Sequence, residues 1–172
     1  MSTGYPILEQ IAQAVKTRLE TVTIANGYQQ TLTIKRPTRQ GTDWTPEHNL
    51  VLLSQGDASR SADHEYEAYP QVFAWEQQFA IEIFQIPSES ETTPIEQLAN
   101  VVLADVITAL TTPAATWHEW RTTAADASTR LAVFSDISDI AMAVASNGSV
   151  QVTELTLTVT YRTPFNNPYT VA

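Results

Sequence analysis

Three histidines, His48, His64 and His118, are the first side chains to weigh as metal ligands or general bases. None falls in the HxxxH or HExxH spacing that sets two imidazoles on one helix face, so the sequence writes no helical zinc site. The stretch "DHEYE" (63–67) gathers Asp63, His64, Glu65 and Glu67 and could hold a cation through its oxygens. With no second ligand cluster at a defined spacing, it reads as a solvated acidic loop. "SDISD" (135–139) places Asp136 and Asp139 beside Ser135 and Ser138, and a carboxylate pair of this kind can do general acid/base work. The competing reading is that both face solvent on an edge strand or turn. No GxSxG elbow raises a serine nucleophile, and the five glycines form neither GxGxxG nor GxxxxGK[ST]. Trp117 and Trp120 flank His118 and Glu119, which could stack a sugar or a base, but no polar ligand-reading cluster accompanies them. The expected count of cofactors and metals is therefore none.

The bulk chemistry narrows the partners. The 172 residues suit one domain with its own core, residues 1–172. Only 16% are charged, and the formal net charge is −10. Nine scattered basic residues do not make the clustered Lys/Arg footprint that nucleic-acid binding requires. With no cysteine there is no disulfide framework and no thiol nucleophile, as suits a reducing compartment. No apolar run is long enough to cross a bilayer, and the N-terminal stretch predicts no signal peptide.

These groups must be positioned by elements that the hydrophobic pattern predicts. Residues 6–22 are an amphipathic helix, with Ile7, Leu8, Ile11, Val15, Leu19 and Val22 at three- and four-residue spacing and Pro6 at its first position. Asn26-Gly27 breaks the chain before a strand in "YQQTLTIKRP" (28–37), and "NLVLLSQG" (49–56) is a second, interior strand. Residues 57–70 show no apolar periodicity and are predicted as a long acidic loop. Residues 71–86 form the longest strand, with Phe73, Trp75, Phe79, Ile81 and Ile83 on one parity. A second helix starts at a capping box, Thr93 to Glu96, and runs to about 111–113 with Ile95, Leu98, Val102, Val106 and Leu110 as its buried stripe. Residues 114–130 fit either a strand or a short helix and loop. From about Ile137 a period of two returns, Asn147-Gly148 suits a hairpin turn, and 150–162 is the closing strand. Leu155, Leu157, Val159 and Tyr161 lie on its inner side, and Pro164 and Pro168 bracket a tail, 163–172, that holds Phe165 and Tyr169. The predicted class is α+β: an antiparallel-rich sheet of about five to six strands with two main helices packed on one face.

Three stretches taken in order, "LETVTIANGYQQTLTIKRP" (19–37), "TPIEQLANVVLADVITALTT" (93–112) and "LTLTVTYRTPFNNPY" (155–169), carry a resemblance. The order resembles the tail-terminator (tail-completion or minor tail) proteins of long-tailed bacteriophages and related head–tail joining proteins. Those open with a helix, a Gly-Tyr turn and a strand ending near an Arg, carry a helix after the long strand, and close with Tyr-Arg and a nearby Pro. Gly27-Tyr28, Arg36, Tyr161-Arg162 and Pro168 stand in those places. The resemblance covers most of the chain, without residues 114–136.

The resemblance implies a structural virion protein with no enzymatic activity, made in the host cytoplasm. Its protomers are expected to form a ring, a hexamer, on the head-proximal end of the tail tube. There they stop tube growth and meet the head-completion or connector protein. DNA passes through without specific binding; six copies carry about −60 in formal charge, which repels phosphate. A heterologous ring needs two different faces per protomer. The expected subunit and partner contacts are Trp44, Asp57, Asp63, Glu65, Tyr66, Glu67, Tyr69, Arg162, Phe165 and Tyr169. No membrane partner is expected. Two other readings stand beside this one: a small-ligand-binding domain or small enzyme built on Trp117, His118 and Trp120 or on the "DHEYE" loop, and an assembly adaptor of a non-viral injection device.

Overall fold

The structure, a computed structural model, describes residues 5–37, 45–60, 72–88, 90–111, 131–132, 134–144, 149–164 and 167–169. Among them are helices α1 (Ile7–Glu20) and α2 (Ile95–Thr111), and strands β1 (Thr33–Lys35), β2 (Leu50–Arg60), β3 (Val72–Gln85), β4 (Phe134–Val144) and β5 (Gln151–Pro164). The strands make one sheet in the order β1-β2-β3-β5-β4. All pairs are antiparallel except β1 with β2, so the fold is α+β with a mostly antiparallel five-stranded sheet and two helices.

One cluster of buried side chains joins both helices to a single face of the sheet. Ile7, Ile11, Val15 and Leu19 come from α1, and Val102, Val106, Ala109 and Leu110 from α2. Opposite them, the β3–β5 register sets Ile81 beside Leu155, Phe79 beside Leu157 and Trp75 beside Tyr161. Alternation on β5 has sorted its residues as its sequence requires: Leu155, Leu157, Val159 and Tyr161 are buried, while Thr156, Thr158 and Arg162 are half-exposed on the other face. On α2 the stripe is rotated slightly from the expected one. Ile95 and Leu98 are only half-buried, and Ala99, Asp105 and Ala109 are buried beside Val102, Val106 and Leu110.

Several boundaries differ from the expectation, each because backbone groups find other partners. The strand expected over 28–37 shortens to Thr33–Lys35. The amide N–H groups of Gln29 and Gln30 donate instead to the Asp105 carboxylate, at 2.9 and 3.0 Å, and Leu32 donates to the Val22 carbonyl. The turn before it does form at Gly27, whose φ of +89° lies where glycine alone is unstrained. At the start of α2, the Thr93 N–H that a capping box would give to Glu96 goes to Glu91, at 2.8 Å.

Residues 57–60 of the acidic loop expected over 57–70 belong instead to β2, which runs on to Arg60 through a bulge between Gln55 and Ala58; residues 61–70 lie outside the described residues. Residues 55–60 are exposed, so no apolar pattern marks this part of the strand. Gln77, which is buried, holds the bulge by donating its side-chain amide to the Gly56 carbonyl at 2.9 Å. At the other end of the sheet, β5 continues past Arg162 to Pro164, opposite Val72. The buried Thr163 hydroxyl accepts the indole N–H of Trp75 at 3.1 Å. Proline is tolerated here because it is the last residue of the strand and needs no ladder N–H.

Candidate assembly surface

Among the described residues β4 is an edge strand, paired with β5 alone. Its ladder breaks between Ser138 and Ala141, where Asp139 and Ile140 oppose the single residue Leu155. Asp139 takes up the extra length with a φ of +52°, a conformation that Asp tolerates better than most residues. Before the bulge, Ser135 and Ile137 sit beside Val159 and Leu157 on the helix side of the sheet. After it, Met142 and Val144 sit beside Thr153 and Gln151 on that same side. All six residues from Asp139 to Val144 are exposed. Ile140, Met142 and Val144 expose 48%, 44% and 48% of their surface, so half of a β-branched or Met side chain faces solvent at three neighbouring positions.

This stripe continues into a groove of about 550 Å³ between the C-terminal half of α2 and β4, walled by Ile107, Leu110, Ile137, Ile140 and Leu157. Natural edge strands are usually blunted by Lys, Pro or an inward charge. Residues 140–144, "IAMAV", carry none of these. Exposed apolar surface of this kind commonly marks a contact or ligand-binding site.

Further apolar surface is exposed where residues 167–169 reach the start of α1. Among the described residues of the tail, Pro168 accepts the Ile7 N–H at 2.9 Å, so a backbone carbonyl from the far end of the sequence caps α1, which has no side-chain cap. Asn167 donates its N–H to the Pro164 carbonyl, and its side chain accepts the Tyr169 N–H at 3.0 Å. At the start of α1 the Tyr5 carbonyl accepts the Gln10 side-chain amide at 2.8 Å. Tyr5 and Tyr169 are 59% and 45% exposed. A smaller hollow of about 380 Å³ under this knuckle is lined by Pro6, Phe73, Trp75, Tyr161 and Pro168 among others.

The sheet face away from the helices carries Glu82 directly opposite Glu154. Partial burial, and then the facing Glu154, hold the Glu82 carboxyl above the usual range. The folded state therefore binds this proton more tightly than the unfolded chain does. Stability contributed at this position falls as the pH rises from about 4.5 through the raised value. Glu82→Gln is expected to raise stability at pH 7 by about 0.5 kcal/mol, the size of a cross-strand like-charge repulsion. It should also flatten the loss of stability seen in urea melts as the pH rises above about 4.5. An unchanged pH dependence would mean that the pair is fully relaxed by solvent.

Of the residues expected to make contacts, Arg162 is half-buried on β5 beside Ala74, Tyr169 is exposed at the knuckle, and Asp57 is exposed in the β2 bulge. Asp57 thus belongs to a strand rather than to the start of a loop. Trp44, Asp63, Glu65, Tyr66, Glu67, Tyr69 and Phe165 lie outside the described residues, as do Trp117, His118 and Trp120 of the ligand-binding reading. His48 is described, and its Nδ1 accepts the Ile86 N–H at 3.3 Å. Asp136 and Asp139 sit exposed on the β4 edge, where Asp136 accepts the Ile137 N–H and Asp139 the Ser138 hydroxyl. Among the described residues no three His, Asp or Glu side chains gather as a metal site, and no helix is long and apolar enough to cross a membrane. The stripe Ile140–Met142–Val144 had a signal in its alternation, but which of its sides is left uncovered depends on the bulge and on where α2 lies. No protein-family profile matches the chain, and no curated protein sequence matches it either.

Proposed function

We propose that this protein is a structural subunit of a ring that terminates a long bacteriophage tail, stopping growth of the tail tube and joining it to the DNA-filled head. The observation that carries the reading is the exposed apolar stripe Ile140–Met142–Val144 at the edge of the sheet, which is assembly material on an α+β protomer. The order of helix, Gly-Tyr turn, strands, helix and closing Tyr-Arg strand, on which the resemblance to tail terminators rests, is compatible with this fold. The partners in this reading are further copies of the chain, the tail-tube protein and a head-completion protein. The net charge of −10 per subunit lets DNA pass a ring of six without being gripped. The role is assembly, and no catalytic step is assigned.

Native mass spectrometry with negative-stain imaging tests the reading. The expected result is a closed ring with six times the 19.0 kDa mass of the chain, alone or on preformed tail tubes. A strict monomer under both conditions overturns it.

A further inference from the structure

The helix-side face of β3 and β5 is apolar along most of its length, with Phe79, Ile81 and Ile83 on one strand and Leu155, Leu157 and Val159 on the other. At the end of the sheet where β3 finishes and β5 begins, that pattern stops. Gln85 stands directly opposite Gln151, and Thr153 follows on the same face of β5, opposite Ile83. All three are as buried as the apolar core, each 1% exposed. Yet Gln85 Oε1, Gln151 Oε1 and Thr153 Oγ1 have no hydrogen-bond partner among the described residues. Burying a polar atom unpaired costs stability, and folded proteins leave few of them. Three on adjoining rungs of one strand pair call for a shared partner.

The surroundings say what that partner is. Gln85 Nε2 donates to Asn49 Oδ1 at 2.8 Å, and Asn49 Nδ2 donates to Gln30 Oε1 at 3.1 Å. The amide end of Gln85 is therefore spent towards β2, and its oxygen is the free end. Every charged residue of β3 and β5, Glu76, Glu82, Glu154 and Arg162, has the opposite parity and lies on the other face. A cation in this row would have no counter-charge from either strand. We infer that Gln85, Gln151 and Thr153 close around one internal water molecule. Water has the matching set of bonds: two O–H donors for the two amide oxygens and a lone pair for the Thr153 hydroxyl, three in all, as internal waters usually make. Opposed residues of an antiparallel pair have Cα atoms about 4.5–5.5 Å apart, a gap that one water spans with two hydrogen bonds of about 2.8 Å. Thr153 is about 7 Å further along β5, within reach of long side chains on the same face. The row then runs unbroken from Gln30 through Asn49, Gln85 and the water to Gln151, and joins β3 to β5 where apolar packing stops. It does not depend on the ring reading.

A high-resolution crystal structure of the full chain should show one ordered water at hydrogen-bond distance from all three atoms. Thr153→Val, which nearly keeps the shape and removes the hydroxyl, should lower the melting midpoint by about 2–4 °C, the loss of one hydrogen bond. Adding Gln151→Met to it should lower the midpoint by less than Gln151→Met does alone, because both side chains hold the same water. A midpoint that rises in Thr153→Val, as removal of an unpaired hydroxyl predicts, would overturn the proposal, and so would strictly additive shifts. Should a variant fail to fold, the unaltered chain decides: a dry row, or a side chain from elsewhere in the chain bonded to these three atoms, overturns it.

Discussion

Replacing Phe79, the largest fully buried side chain among the described residues, with alanine is expected to cost about 3–5 kcal/mol. Phe79 is fully buried at the centre of β3, between Gln55 on β2 and Leu157 on β5, and belongs to the cluster on which both helices sit. Alanine removes a ring that β3, β5 and the helices jointly enclose, and a sheet pinned on both sides cannot close around the gap. Because a domain of this size holds a net stability of only about 5–15 kcal/mol, the variant should lose a large share of it. The expected midpoint shift is of order 10 °C. Phe79→Leu keeps most of the volume and should cost less than half as much. Urea denaturation of the two variants, read at an unchanged slope, checks the pair. A loss below 1 kcal/mol for alanine would mean that the helices do not seat on the centre of the sheet.

Asp105→Ala is expected to cost about 2–4 kcal/mol, through a different mechanism. Asp105 lies on the buried face of α2, and one of its carboxylate oxygens receives the N–H groups of Gln29 and Gln30. Those two amides have left the β1 ladder, so their hydrogen bonding depends on a residue 75 and 76 positions away. Alanine removes two charge-assisted bonds and strands both donors. Asp105→Asn retains an acceptor oxygen without the charge and should cost about 1 kcal/mol. The distinguishing measurement is amide hydrogen exchange. In the alanine variant Gln29 and Gln30 should lose protection ahead of β3 and β5, whereas in Phe79→Ala all elements should lose it together. Uniform loss in both variants would show that Asp105 is merely a packed side chain.

These two positions mark different depths of legibility. Phe79 can be found by parity alone, because every second residue of a strand shares its face. Asp105 cannot, because a charged residue on an otherwise apolar stripe reads as a helix defect until its partners are known. The same contrast runs through the assembly surface. Ile140, Met142 and Val144 are visible as an alternating set in the chain, yet their exposure follows from the Asp139 bulge and from β4 lying at the edge of the sheet. Tyr169 can be picked out as a contact candidate from a short aromatic, proline-containing tail, and Arg162 from the Tyr-Arg that closes the last strand. That the tail folds back to cap α1 of its own chain through Pro168 depends on a backbone carbonyl, which carries no residue identity to read.

What the sequence determined by itself is what local periodicity and turn chemistry control. This covers two amphipathic helices, the alternation of β3 and β5, the glycine turn at Gly27 and the α+β class that follows from their order. Burial of an apolar stripe is demanded wherever the stripe occurs, so these features survive any arrangement of their neighbours. The tertiary structure alone decided the parallel pairing of the short β1, the extension of β2 through its bulge to Arg60, the run of β5 to Pro164, and the two patches left exposed at opposite ends of the sheet. Each of these rests on backbone hydrogen bonds or cover supplied by residues distant in the chain. Such partners exist only once the sheet order β1-β2-β3-β5-β4 has brought them together.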